Sequence, residues 1–131
     1  MRLALDDGGV VPEQIGYINA HGTSTHLNDS CETTAIKTVF GGHAYKLAVS
    51  STKSMTGRSA GRCRRGRGRI YRAGSARCLF ARHRQFAGAG SGAGSGLYPQ
   101  PWRAAQVEYA MSDSLGFGGH NACVVFKRWE G

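Results

Sequence analysis

Three stretches of the sequence place reactive side chains directly after predicted strands. "NAHGTSTHLND" contains His21, "AVSSTKSMTG" contains Lys53, and "SDSLGFGGHNA" contains Phe117 between glycines. Because ligands of open α/β sheets usually bind at the carboxyl ends of the strands, the three stretches are candidates for one common site. A histidine in such a place can donate a hydrogen bond to a carbonyl or phosphate oxygen. The simpler interpretations are a loop histidine, a solvated surface lysine and a tight hairpin turn.

Two other patterns give only weak evidence for a catalytic or metal site. Ser50 to Lys53 fits S-x-x-K, the nucleophile pattern of penicillin-binding proteins, but no K-T-G motif follows it. The cysteines show no C-x-x-C spacing, so we expect neither a zinc site nor a disulfide framework. We interpret them as buried or incidental thiols and expect no metal. They are Cys31, Cys63, Cys78 and Cys123.

The elements that must position these residues are typical of an α/β protein. Ile15 to Ala20 and Lys46 to Ser51 are apolar runs that predict buried strands. A first helix is expected to end at Asp7, before Gly8 and Gly9. "QVEYAMS" and "NACVVFKRW" are strand-like runs on either side of "GFGG", which predicts a hairpin.

A second helix is expected between the first two strands. Asp29 followed by Glu32 has the spacing of a capping box, which predicts a helix start there. The helix should then bury an apolar stripe and end at Gly41 and Gly42. The stripe is formed by Ala35, Ile36, Val39 and Phe40.

The charge of the chain is concentrated in one block. The formal net charge is +9, and residues 58–96 hold ten arginines, nine glycines and no acidic residue. This block ends in "AGAGSGAGSG", which has the composition of a flexible linker. The arginines raise an alternative function, that of an Arg/Gly-rich nucleic-acid-binding protein, although few aromatic residues are present for base stacking.

Length and hydropathy restrict the class of protein. The 131 residues suffice for one modest domain. No apolar run approaches the roughly 20 residues of a membrane helix, and the N-terminus lacks the layout of a secretory signal. We therefore expect a cytoplasmic protein that does not bind a membrane.

The three motifs together, in this order, resemble the β-ketoacyl-ACP synthases of fatty acid synthesis, especially synthase II. The similarity covers residues 1–57 and 103–128. It implies an α/β fold, the C-terminal half of a thiolase-type fold with a mixed sheet and helices, incomplete and with a disordered or irregular centre. The N-terminal half of that fold, which carries the nucleophilic cysteine, is expected to be absent.

The resemblance also implies an activity and a set of roles. The family's enzymes are acyltransferases that join an acyl thioester to malonyl-ACP by decarboxylative Claisen condensation. Their substrates are carried on the phosphopantetheine arm of acyl carrier protein, and they need no other cofactor. Acyl carrier protein is thus the expected partner, a homodimer is expected for the intact enzyme, and nucleic acid is not expected. The residues implied are His21 and Lys53 as catalytic groups, Phe117 as a gate, and Thr23, Thr25 and Gly118 at the substrate.

The sequence departs from the family pattern after Gly57. There the family continues "HLLGAAGGVEA", whose histidine is the second catalytic one, and this chain has Arg58 in its place. One permitted choice of codons for Gly57–Gly68, read one base out of step, gives G-H-L-L-G-A-A-G-G-V-E. A permitted choice for Ser91–Gln100, shifted the same way, gives P-E-R-D-L-D-Y-I-P.

We interpret the basic block as an out-of-frame segment. The sequence then divides into a first part of the synthase C-terminal domain at 1–57, an Arg/Gly-rich segment expected to be disordered at 58–101, and a C-terminal hairpin at 102–131. In the family an acidic residue pairs with the lysine that corresponds to Lys53, and the resemblance places Arg67 at the position of that acid. Because the nucleophilic cysteine and the second histidine are both lacking, the isolated chain is expected to be inactive.

Overall fold

The computed structural model describes residues 1–23, 25–53 and 107–129. The predicted disorder of 58–101, and the positions Arg58 and Arg67, lie outside the described residues. The helices are α1, Arg2–Gly8, and α2, His26–Phe40. The strands are β1, Ile15–Asn19; β2, Ala48–Ser50; β3, Tyr109–Leu115; and β4, Asn121–Lys127. Short 3₁₀ turns cover Pro12–Gln14, Gly41–Tyr45 and Phe117–Gly119.

The first helix ends as its glycines predict. Gly9 has a φ of 60°, in the left-handed region, and its N–H donates to the carbonyls of Leu5 and Asp6. A residue without Cβ adopts this conformation at little steric cost, so the chain leaves the helix here and turns toward β1. Leu5 is the buried residue of α1 and joins the core under the sheet.

The predicted start of α2 is wrong. The helix begins at His26 after Thr25, so Asp29 and Glu32 lie inside it and do not form a capping box. The Asp29 N–H donates to the carbonyl of Thr25, and the Glu32 carboxylate accepts hydrogen bonds from the chain that precedes the helix instead of from Asp29. The end at Phe40 agrees with the expectation. Within the predicted apolar stripe, Ile36 and Phe40 are buried, whereas Ala35 is exposed.

The strands form one mixed sheet in the order β2-β1-β3-β4. β1 runs parallel to both β2 and β3, with Asn19 opposite Ser50 on one side and Ser112 on the other. β3 and β4 are antiparallel, which confirms the predicted hairpin. The second strand is shorter than predicted because Lys46 still closes the preceding turn, its N–H donating to His43.

The sheet separates two groups of buried side chains. On one face, Ile18, Val49 and Met111 pack with side chains from both helices. On the other face, Tyr17 and Ala110 pack with Val107 in a smaller cluster. Since β1, β2 and β3 are parallel, their carboxyl ends meet at the same edge of this sheet, and this edge is where the reactive residues follow.

Candidate functional site

His21 and Lys53 lie side by side at the carboxyl edge of the sheet. His21 follows β1 by two residues and Lys53 follows β2 by three. The Lys53 Nζ lies 3.1 Å from Nδ1 of His21 and also donates to the His21 backbone carbonyl. Two of the three predicted reactive groups are therefore in contact, because neighbouring parallel strands deliver them to the same place.

The third strand fixes the protonation of the His21 ring. The backbone N–H of Leu115, the last residue of β3, donates to His21 Nδ1 over 3.0 Å. An amide N–H can only donate, so Nδ1 is an acceptor in this arrangement and the neutral ring carries its proton on Nε2. His21 is thus set up as a donor through Nε2, the atom that could stabilise a negatively charged oxygen.

Side-chain hydrogen bonds join the ends of the two strands that carry these residues. Tyr17 Oη and Ser50 Oγ are 2.8 Å apart, and both atoms are buried. Asn19 Oδ1 accepts from the N–H of Thr52 at 3.1 Å, and its Nδ2 donates to the Thr52 hydroxyl at 3.4 Å. These bonds fix the spacing between the segment that leads to His21 and the segment that leads to Lys53.

A buried carboxylate holds the turn that contains His21. Glu32 Oε1 accepts from the N–H of His21 at 2.6 Å, and Oε2 accepts from the N–H of Gly22 at 3.0 Å. Burial raises the pKa of Glu32 above its usual 4.5, the two backbone N–H groups and Asn28 lower it, and the negative charge of Asp113 raises it. Burial is the largest of these effects.

The same turn passes close to the strand-end segment after β2. Gly22 has a φ of 44°, and a Cβ built on it would lie 2.5 Å from Cβ of Ser51. Both the conformation and the contact require glycine here. The turn is therefore enclosed between Glu32 on one side and Ser51 on the other.

Glu32 is the residue that the sequence interpretation missed as part of the site. A signal was present: Glu32 shares one helix face with Ile36 and Phe40, four and eight residues further on, and both are buried. A carboxylate on an apolar face needs hydrogen-bond partners, and the partners had to come from outside the helix.

Comparison with known proteins agrees with this geometry. Residues 1–63 match the family model described as beta-ketoacyl synthase, C-terminal domain. The 3-oxoacyl-[acyl-carrier-protein] synthase 2 of Synechocystis is 42% identical over 131 residues, which cover 97% of this chain and 30% of the relative. The enzyme of the same name from Staphylococcus aureus is 43% identical, with 99% and 31% covered.

Solved structures give the same result. A ketosynthase in complex with its type II PKS acyl-carrier protein, AntDE:AntF, superposes with a TM-score of 0.91 at 26% identity, covering 98% of this chain and 32% of that one. A beta-ketoacyl synthase from Burkholderia phymatum gives 0.84 at 30% identity, with 99% and 31% covered.

Residues 1–63 carry a β-ketoacyl synthase C-terminal domain, and nearly the whole chain is similar to 3-oxoacyl-[acyl-carrier-protein] synthase 2. The α/β fold, a mixed sheet with helices that forms part of the thiolase-type fold, is confirmed. The chain spans about 30% of the length of the curated relatives it matches. The family model ends at residue 63, a few residues beyond the point where the sequence departs from the family motif.

The other predicted residues lie in the segments that follow β1 and β3. The hydroxyls of Thr23 and Thr25 are 3.2 Å apart, in the segment between β1 and α2. Phe117 begins the 3₁₀ turn after β3, and Gly118 lies in it with a φ of 72°. This turn follows Leu115, which contacts His21. The roles assigned to these four residues stay predictions.

The two described cysteines differ in environment. Cys31 is exposed, so of the two expected kinds of thiol, buried or incidental, it is not a buried one, and Cys123 is partly buried. Burial, and then the charge and hydrogen bond of Asp113, opposite it on β3, together raise the pKa of the Cys123 thiol to about 12, although the Met1 amino group acts to lower it. Cys123 is therefore a protonated thiol at neutral pH.

Among residues 1–23, 25–53 and 107–129, no group of three or more His, Cys, Asp and Glu side chains is arranged to hold a metal ion. Within the same ranges, neither helix is long and apolar enough to cross a membrane.

Proposed function

We propose that this chain forms part of the active site of a β-ketoacyl-[acyl-carrier-protein] synthase. In the proposed reaction a malonyl thioester loses carbon dioxide, and the resulting enolate carbon attacks the carbonyl of an acyl thioester. The cysteine thiolate of that thioester then leaves. Negative charge develops on the thioester oxygens, so donors fixed at those positions lower the barrier.

The observation that carries the proposal is the acceptor state of His21 Nδ1. With Leu115 N–H at 3.0 Å and Lys53 Nζ at 3.1 Å, the ring is prepared to donate through Nε2. A preorganised N–H donor is what an enolate or thioester oxygen requires, because no reorganisation is needed as charge develops. Lys53 contributes positive charge beside the same ring.

The names of the relatives support a substrate class. The curated relatives are named as acyl-carrier-protein synthases, and one solved neighbour is described as an acyl-carrier protein in complex with its ketosynthase. We infer that the substrates are acyl and malonyl groups on the phosphopantetheine arm of acyl carrier protein. Thr23, Thr25 and Gly118 would contact that arm, and Phe117 would gate the acyl thioester.

The isolated chain is proposed to be inactive. Neither Cys31 nor Cys123 is suited to be the nucleophile, because the Cys31 side chain is exposed, whereas the adjacent Glu32 is the residue that contacts the His21 turn, and Cys123 holds its proton. The nucleophile would have to come from the part of the synthase that this chain does not span. The chain alone, given acyl-ACP and malonyl-ACP, should form no condensation product. Condensation by the isolated chain would overturn this part of the proposal.

A chimera tests the catalytic role directly. Residues 1–53 and 107–129 would replace the aligned segments of the Staphylococcus aureus synthase 2, which retains its own nucleophile and middle segment. We expect the chimera to condense acyl-ACP with malonyl-ACP. A folded chimera that binds acyl carrier protein and gives no product would overturn the proposed function.

The gene tests the origin of the basic block. A nucleotide sequence whose shifted frame spells the glycine-histidine-leucine-leucine continuation would support the synthase interpretation. Salt-dependent RNA binding by the chain, combined with no such frame, would favour the alternative nucleic-acid-binding function. The homodimer and the cytoplasmic location also remain predictions.

A further inference from the structure

Glu32 uses both oxygens of its carboxylate on the peptide groups of the His21 turn. Oε1 lies 2.6 Å from the His21 nitrogen and Oε2 lies 3.0 Å from the Gly22 nitrogen. Asn28, one turn earlier in α2, donates to Oε2 from 3.2 Å. The carboxylate therefore connects the buried face of α2 to a turn ten and eleven residues before it.

Placing an acid at this position is costly, and the contacts show what offsets the cost. Only 3% of the Glu32 surface is exposed, so ionisation loses most of its hydration. Three N–H donors replace that water, and charge-assisted bonds of this length are the strong ones. An apolar side chain would pack as well against Ile36, but it would leave the N–H groups of His21 and Gly22 without an acceptor.

The peptide group between His21 and Gly22 is also held through its carbonyl. Its carbonyl accepts from Lys53 Nζ and, at 3.4 Å, from the Ser51 hydroxyl. The close approach of Gly22 to Ser51 leaves the turn no room to move toward β2. The peptide groups on both sides of His21 are therefore held, the first by Glu32 and the second by Glu32 and Lys53, and from this position the ring Nδ1 accepts from the Leu115 N–H.

We infer that Glu32 is a positioning residue that holds His21 in the orientation where Nδ1 accepts and Nε2 donates. This inference rests on the proposed function, which needs the Nε2 proton. Glu32 does not touch the reacting atoms, so it acts through the turn. Its loss changes the state of the His21 ring while the sheet and α2 stay folded.

The test uses the chain itself and the isosteric variant Glu32→Gln. Long-range ¹H–¹⁵N spectra of the imidazole report which ring nitrogen carries the proton. The native chain is expected to show one form, protonated on Nε2, and the variant a mixture of forms. Exchange of the His21 and Gly22 amide hydrogens is expected to be roughly 10- to 100-fold faster in the variant.

The matched control is Glu13→Gln, which removes an exposed carboxylate in the turn before β1. It is expected to leave the His21 ring spectrum and the two exchange rates unchanged. A folded Glu32→Gln variant with native ring signals and native exchange at both amides overturns the inference. Ring signals are read without turnover, so this result is separate from the activity of the chimera.

A second measurement needs no variant. If Glu32→Gln unfolds, the native chain is labelled and examined for a scalar coupling through the hydrogen bond between the His21 amide nitrogen and the Glu32 carboxyl carbon. At 2.6 Å this coupling is expected together with a strongly downfield amide proton. Absence of both signals in the folded chain contradicts the inference.

Discussion

The backbone N–H of Leu115 donates to Nδ1 of His21 over 3.0 Å, although the two residues are 94 positions apart in the chain. A peptide group at the end of β3 thereby decides which ring nitrogen of His21 is protonated. The contact exists because β1 and β3 are neighbouring parallel strands that end at the same edge of the sheet.

Replacing Leu115 by proline removes this one donor. We expect the His21 ring to lose its preference for the Nε2-protonated form, and in the chimera we expect condensation to fall because fewer molecules present the donor. Leu115→Ala keeps the N–H and shortens a side chain that is 36% exposed, so it should behave like the native chain. Imidazole ¹H–¹⁵N spectra of both variants distinguish the outcomes; identical spectra would mean that the contact has no influence.

Gly22 should tolerate no side chain. Alanine there must adopt a positive φ and must displace Ser51, whose Cβ lies 2.5 Å from the new Cβ position. We expect Gly22→Ala to lower the free energy of unfolding by roughly 2–5 kcal/mol. Gly9→Ala is the control, since Gly9 also has a positive φ but has no atom within 4 Å of a built Cβ. Its cost should be about 1–2 kcal/mol. Urea unfolding measures both, and equal losses would disprove the steric argument.

Because the pKa of Glu32 is raised, the free energy of unfolding that Glu32 contributes should fall as the pH rises. The folded chain binds the Glu32 proton more tightly than the unfolded chain, whose glutamate has the usual value of 4.5. The free energy of unfolding contributed by Glu32 therefore falls as pH rises above 4.5. Between pH 4.5 and 7, we expect the free energy of unfolding of the native chain to fall relative to that of Glu32→Gln. Urea titrations at several pH values measure it, and a shift toward the native chain would contradict the effect of burial.

Cys123 should be protected from alkylation and should destabilise the fold at high pH. Its pKa of about 12 leaves little thiolate at pH 8, whereas Cys31 is exposed and serves as an internal reference in the same chain. Peptide mapping after brief iodoacetamide treatment should find Cys31 modified and Cys123 intact. Preferential labelling of Cys123 in the folded chain would be the contrary result.

The stability that Cys123 contributes changes with pH in the same direction as the stability that Glu32 contributes. The folded thiol keeps its proton up to about pH 12, while the unfolded thiol loses it near 9, so stability falls as pH rises between these values. Cys123→Ala should remove that part of the decline. The measurement is the difference in urea midpoint between the native chain and the variant from pH 8 to 11; a constant difference would exclude the thiol as a cause.

The sequence allowed much of this site to be predicted, because it depends on where strands end. His21 and Lys53 each follow an apolar run, and parallel neighbours must bring such residues together. The hairpin was equally accessible from the glycines between two strand-like runs. The contribution of Leu115 could not be predicted in this way, since a backbone N–H is present at every residue other than proline and only the register selects one.

Glu32 illustrates a different limit. Its spacing from Asp29 fits a capping box, which predicts a helix start at Asp29. The acid also lies on the apolar face of the helix, and this second pattern is the one that indicates its buried position. The helix already starts at His26, and the Glu32 carboxylate is used by His21 and Gly22, which lie outside the helix. A local motif alone cannot reveal whether its acceptor is claimed by a more distant donor.

The most direct test of the central claim is the condensation rate of the chimera with His21→Ala, compared with His26→Ala. Both variants lose one imidazole from the same short segment, but His26 is exposed at the start of α2. If His21 donates to the developing oxyanion, His21→Ala should lower kcat about 100- to 1000-fold with little change in KM, and His26→Ala should leave both unchanged. Equal rates for the two variants would contradict the account.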